Sequence, residues 1–352
     1  MTTPAPFAAI ALQLTARSVE DCATREAVAE SMAATIDDTA RKLRASCVFV
    51  EQYGGTRVRL AVLPEYWMTS YPGRIGVAAF AQKAAIDMDG AEYEQLGRIA
   101  LAQDLFLAGN AYERDPAFPG LYFQTSFVVA PTGAVVLRYR RLNSMFAPTP
   151  HDVWTAYLDR YGIDGVFPVA TTEIGRIAAI ASEEILYPEI ARAHALRGAE
   201  IFVHSSSEIG APIATPKAIA RRARAFENSA YVVSANTAGI AGTAMPGASA
   251  DGNSQVVDYK GHVLAEANSG ETFTAFADLD VAALRAHRRK PGMTNQLARQ
   301  RLELFAPIYS GRVVQPADSL IARDGALRIP DREHFARVHA GVIERSAKEG
   351  LI

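Results

Sequence analysis

The stretch "IAAIASEEILYPE", residues 177 to 189, places a hydroxyl and two carboxylates where an apolar run gives way to a helical pattern. Residues 177–181 read as a continuous buried strand, Pro188 suits the first turn of a helix, and Gly198 suits its C-terminal cap. Ser182, Glu183 and Glu184 therefore occupy a strand-to-helix junction, a place from which many enzymes present a nucleophile. The chemistry in question is attack by the Ser182 hydroxyl on an electrophilic carbon. A serine hydroxyl is a far weaker acid than a thiol of pKa ~8.5, so it normally needs a histidine relay. No histidine adjoins Ser182 in sequence. His204 lies on the neighbouring expected strand, although a lone histidine at a strand end is more often a structural hydrogen-bonding group. A second group of interest, "LPEYWMTSYPG", ends an apolar run at Glu65 and supplies Tyr66 and Trp67 as aromatic walls for a pocket.

Rigid elements must hold these residues, and the sequence alternates short apolar runs with segments of helical period. Residues 7–14 read as a strand, 19–51 as helical, 57–63 as a second strand and 91–103 as a helix. "YFQTSFVVAPTGAVVLRYRR" reads as a hairpin turned at residues 131–133. Residues 201–204 form the next strand, and "ATPK" opens a helix with Thr215 as cap and Pro216 at its first position, ending near Asn228. "AYVVSAN" follows as a strand and "SQVVDYKGHVLAEA" as a hairpin turned at residues 259–261. The pattern predicts an α/β layered fold. Beyond Arg288 the chain turns polar and irregular, as an arm or tail would.

Composition removes several function classes. With 352 residues, 49% of them apolar, there is ample material for a large core, and a net charge of −2 argues against nucleic acid or an anionic membrane as partner. Only Cys22 and Cys47 occur, with no Cys/His cluster, so neither a disulfide framework nor a metal site is expected, and no cofactor motif appears. "GASADGNS" is glycine-rich but opens no helix, which excludes a phosphate loop. Residues 1–14 lack the basic segment, apolar run and cleavage site of a secretory signal, so a cytoplasmic location is expected.

Five segments in order, "LAVLPEYWMTSYPG", "PTGAVVLRYRR", "YPEIARAHALRGAEI", "ARRARAFENSAYVVSANTAG" and "VVDYKGHVLAEA", resemble the nitrilase superfamily of carbon–nitrogen hydrolases. The resemblance runs from about Phe7 to Asp280. It implies a four-layer αββα sandwich over residues 1–290, an extension over 291–352 that reaches across a dimer, and homodimers or higher homo-oligomers formed through helices beside the active site. It also implies a site of glutamate, lysine and cysteine, each at a strand end. Glu65 matches the glutamate and takes its expected role as general base. At the lysine stands Arg141, which can present fixed positive charge to an oxyanion but cannot give up a proton. At the cysteine stands Ser182.

Without a thiol the thioester of that family cannot form. The expected protein is therefore a divergent enzyme acting on a small substrate with an amide, nitrile or related C–N bond, with Glu65, Arg141 and Ser182 at the chemistry and Tyr66, Trp67, Glu183 and His204 around the substrate. The alternative is a catalytically silent homologue that binds a small ligand or a protein partner. Substrate choice is expected to reside in loops 145–162 and 209–215.

Overall fold

A computed structural model describes residues 4–211 and 213–352, so Pro212, in the second of the expected specificity loops, lies outside the described residues. The first half of the chain comprises β1 (Phe7–Ala11), β2 (Leu14–Arg17), α1 (Arg25–Gly54), β3 (Val58–Val62), α2 (Val77–Lys83), β4 (Ile86–Asp87), α3 (Ala91–Gln103), β5 (Phe106–Arg114), β6 (Phe123–Val129) and β7 (Val135–Arg140). The second half comprises α4 (Trp154–Val166), β8 (Ala170–Thr172), β9 (Gly175–Ala181), α5 (Pro188–Leu196), β10 (Ile201–Ser205), α6 (Pro216–Asn228), β11 (Tyr231–Ala235), β12 (Thr237–Ala241), β13 (Gln255–Val257), β14 (Val263–Glu266) and β15 (Phe276–Leu279). After these come α7 (Val281–Arg289), α8 (Ala306–Ser310) and α9 (His334–Lys348).

Two sheets form the centre. One runs β15-β1-β3-β5-β6-β7, with β4 beside β5, and the other runs β14-β13-β11-β10-β9-β8. Their strands explain why the sequence reads as continuous apolar runs: both faces of each sheet are covered. In β9, Ile177, Ala179 and Ala181 point to a core shared with Leu60, Val62, Phe106 and Val128 of the other sheet. Ala178 and Ile180 point the other way, into a core with Ala191 and Ala195 of α5 and Ala220 and Ala225 of α6. On the far side, Ile10 and Ala61 join Ile36 and Leu43 of α1 and Leu96 of α3. The layers are thus helix, sheet, sheet, helix, as expected. Among the described residues no helix is long and apolar enough to cross a membrane.

Three local expectations change. The first helix begins at Arg25 and not near Val19, because the Thr24 side chain accepts the N–H of Ala27 and starts the helix there. Residues 145–162 are largely helical: Thr149 and Asp152 form a reciprocal capping box that starts a 3₁₀ turn leading into α4. Between β9 and α5 a separate 3₁₀ turn, Ser182–Leu186, intervenes, so the junction residues belong to neither strand nor helix.

The extension makes contacts within its own chain. Leu320 and Phe335 are buried in the same core as α1 and α3. Asp318 N–H donates to His151 O, Leu320 N–H to Asp152 O, and the Asp318 carboxylate accepts from Thr155. From Asp318 onward the extension therefore packs on its own chain. The intervening segment is exposed, with Leu304, Phe305, Ile308 and Val313 facing outward.

Candidate active site

Parallel pairing brings strand ends together. Ala181 of β9 pairs with Ser205 of β10, and Ser205 pairs with Ala235 of β11, so the residues that follow these strands emerge at one edge. The opposite sheet is tied to that edge: Ser205 Oγ donates to Leu63 O at 2.7 Å, and Glu65 N–H donates to Ser206 O at 3.3 Å. Arg141 leaves β7 with its N–H bonded to Gln124 O at 2.9 Å. Glu65, Arg141 and Ser182 consequently line one cavity of about 1200 Å3.

Ser182 adopts φ +48°, in the left-handed region that non-glycine residues seldom occupy. Such a conformation persists only where the surroundings fix it. His204 is part of what fixes it: Nε2 lies 2.8 Å from the carbonyl oxygen of Ser182, and Nδ1 lies 2.8 Å from Ser234 Oγ. Burial, and then the nearby Arg221, hold the imidazole well below its ordinary pKa, so it is neutral. A neutral ring bonded to a carbonyl must donate from Nε2 and accept at Nδ1. His204 thus grips the backbone of Ser182, not its hydroxyl, and is no part of the cavity wall.

Arg141 is buried with its fork committed. Nε donates to Asn143 O at 2.6 Å, Nη1 to Gln124 Oε1 at 2.7 Å and to Glu65 Oε1 at 3.5 Å, and Nη2 to Glu183. The other Glu65 contacts come from Gln124 Nε2 at 2.6 Å and Ser207 Oγ at 2.8 Å, and Ser207 also meets the Tyr66 hydroxyl. Glu184 faces inward, accepting from Tyr139 Oη and from the N–H groups of Leu142 and Asn143. Burial pushes its carboxyl up to about 7, against the pull of Arg141 and these bonds. Glu184 therefore shapes the loop after Arg141.

The sequence reading missed the group closest to the nucleophile. Lys217, the second residue of α6, places Nζ 3.1 Å from Ser182 Oγ and 3.4 Å from Ser206 Oγ. One signal was legible: a lysine in the first turn opposes the helix dipole, which favours acids there. Gln124 and Asn110, joined at 3.1 Å inside strands otherwise apolar, were a second signal, since buried polar side chains in strands require partners.

Of the residues expected around a substrate, Tyr66 and Glu183 line the cavity. Trp67 does not: its indole N–H donates to Thr39 of α1 at 3.3 Å and its ring packs on Phe127, because the turn at Tyr66 sends the next side chain beneath the helical layer. Tyr71, Tyr112 and Tyr122 supply the aromatic wall in its place. Neither cysteine lines the cavity, and burial raises the Cys47 thiol to about 12. Arg332 and Glu333 of the extension complete the wall. Among the described residues no group of three or more His, Cys, Asp or Glu is placed to hold a metal ion.

Comparison with known proteins gives the family and the fold. The family described as carbon-nitrogen hydrolase matches residues 20–289. The omega-amidase NIT2 of Xenopus tropicalis is 22% identical over 242 residues, covering 69% of this chain and 84% of that protein. Nit3 of Saccharomyces cerevisiae, from the nitrilase superfamily, superposes with a TM-score of 0.63 at 19% identity, covering 84% of this chain and 97% of its own. A carbon-nitrogen hydrolase from Helicobacter pylori gives 0.62 at 20% identity, covering 86% and 98%.

Proposed function

Because the chain belongs to the carbon–nitrogen hydrolase family, we propose that it cleaves the C–N bond of a small carboxamide through an ester formed on Ser182. The observation that carries this reading is Ser182 itself: held at φ +48°, its hydroxyl opens on the same cavity as Glu65 and Arg141. Attack of Oγ on the amide carbon gives a tetrahedral oxyanion, nitrogen departs as ammonia or an amine, and water then releases the acid. The N–H of Glu183, first after the nucleophile, is the expected oxyanion donor. Arg141 has Nε and Nη1 committed elsewhere, so its part is fixed positive charge beside Glu65. The candidate proton acceptors for the hydroxyl are Glu65 and Lys217, both on the cavity wall.

Amides are the first substrates to try, since the relatives named above include an omega-amidase. The test is ammonia release from a panel of small mono-amides, some bearing a second carboxylate, with mass spectrometry for an acyl adduct on Ser182. Turnover at ~1 to 1000 per second, lost in Ser182→Ala, is the expected result. Ligand binding without ammonia release or adduct would favour the silent homologue. The assembly proposed with this activity is a homodimer, in which the exposed Leu304, Phe305 and Ile308, with Ile219 and Phe226 of α6, would be covered.

A further inference from the structure

Resting on the proposed amide hydrolysis through Ser182, we infer that Lys217 is the base that takes the Ser182 proton, so that the site works as a serine–lysine pair and Glu65 has a different task. Among the described residues Lys217 is the one hydrogen-bond partner of the Ser182 hydroxyl, at 3.1 Å. The two conventional candidates are occupied elsewhere. His204 is bonded to the carbonyl of Ser182 and to Ser234, so its nitrogens face the wrong atom. Glu65 is engaged by Gln124, Ser207 and Arg141, a fence of three donors around one carboxylate.

For Lys217 to accept a proton it must first be neutral, and its surroundings shift it toward that form. Burial lowers its pKa; Glu65 and Glu208 oppose the shift, while Arg221 and Arg141 add to it. Glu208 is itself committed, accepting from Arg221 at 3.0 Å. The α6 dipole works in the same direction as the arginines, since Lys217 sits at the positive end of a 13-residue helix. Arginine at position 141 also gains a reason. It keeps its charge at all working pH values, so the lysine is left as the cation able to cycle.

The proton movements close. Neutral Nζ takes the hydroxyl proton as Oγ bonds to the amide carbon and the carbonyl π pair moves to oxygen. When the oxyanion collapses, the C–N bond breaks and Nζ returns the proton to the departing nitrogen. Nζ then takes a proton from water as the hydroxide oxygen bonds to the ester carbon, and the C–Oγ bond breaks as Oγ recovers its proton. One amide and one water give one acid and one amine. Glu65, in this scheme, balances the charge of Arg141 and orders Ser207 and Gln124.

The experiment compares the wild-type protein, Lys217→Ala and Lys217→Arg in two assays: ammonia release from the best amide of the panel, and the rate at which a fluorophosphonate labels Ser182. If Lys217 is the base, wild-type labelling and kcat/KM rise with pH along a limb centred below the ~10.4 of an ordinary lysine. Both variants lose about 10²-fold or more and the limb with it, because arginine keeps the charge but cannot accept the proton. Added methylamine restores part of the Lys217→Ala rate and none of a Ser182→Ala rate. Retention of activity within about threefold in Lys217→Arg, or an unchanged limb in Lys217→Ala, overturns the inference while leaving Ser182 as nucleophile. The amide-hydrolase reading fails separately, when the wild-type protein neither releases ammonia nor takes the label at Ser182. The wild-type pH limb needs no variant, so a folding defect in either substitution leaves the question decidable.

Discussion

The imidazole of His204 donates to the carbonyl oxygen of Ser182 and leaves the hydroxyl of the same residue to Lys217. One residue is thus held at its backbone by a neutral ring and at its side chain by an amine. His204→Ala removes the backbone hold only. We expect it to lower amide turnover about tenfold to a hundredfold, because the left-handed turn relaxes, and to leave the pH limb of the remaining activity in place. Loss of that limb together with the rate would instead make His204 part of the proton path. The stability cost of the orphaned carbonyl and Ser234 hydroxyl should be on the order of 1 to 3 kcal/mol by chemical denaturation.

Replacing the hydroxyl by a thiol reports on the same amine. In Ser182→Cys, iodoacetamide should alkylate position 182 at pH 7 well before Cys47, whose thiol burial raises to about 12. Adding Lys217→Ala should slow that alkylation, while a second-site change at Arg141, Arg141→Lys, should alter amide turnover non-additively with Ser182→Cys, since nucleophile and charge act as a unit. Equal alkylation rates with and without Lys217 would show that the amine does not activate the group at position 182.

His194 predicts an acid sensitivity. It is buried in α5 with its ring edge-on to Tyr139 at 5.1 Å, and burial lowers its pKa to about 3. The unfolded chain binds this proton near pH 6.5 and the folded chain does not, so stability is full above that range and falls as pH drops from 6.5 toward 3. His194→Leu should remove this contribution. Between pH 6.5 and 5 the variant should gain about 1.5 to 2 kcal/mol relative to wild type, read from urea unfolding at each pH. A difference independent of pH would mean that the ring titrates in the folded protein as it does in the unfolded chain.

Removing the extension separates its two parts. Truncation after Gln315 deletes Leu320 and Phe335 from the core and Arg332 and Glu333 from the cavity wall. A lower melting temperature and a raised KM with Ser182 still labelled by the fluorophosphonate are expected. The exposed stretch with Phe305 and Ile308 is retained, so light scattering should still report the mass of two copies of the shortened chain. A fall to half that mass would assign the dimer contact to residues beyond 315.

The layers were legible in the sequence because buried strands announce themselves as apolar runs. Ile177 to Ala181 and Ile201 to Ser205 are strands where expected, and Thr215 caps α6 through its own side chain. Glu65, Arg141 and Ser182 could be placed one by one, since each follows a strand in a recognisable segment. Lys217 could not, because its approach to Ser182 depends on how α6 packs against the 3₁₀ turn Ser182–Leu186, a long-range packing outcome. Trp67 shows the opposite limit: adjacency to Tyr66 in sequence does not mean a shared surface, because the turn between them separates the two. The extension reads as polar and irregular because its burial rests on a few residues, Leu320 and Phe335 among them, spaced too widely to form a periodic stripe.

The wall supplied by Arg332 and Glu333 also sets an order in time. Arg332 is joined to the growing chain 43 residues after Arg289, the last residue of α7, at position 332 against 289. At translation rates of ~5 to 20 residues per second, roughly two to nine seconds separate the two. During that interval both sheets and their helices have been made while one side of the cavity is still missing. A ribosome-bound chain can therefore hold its folded sandwich without a finished chamber, and synthesis itself delays the moment at which substrate is first retained.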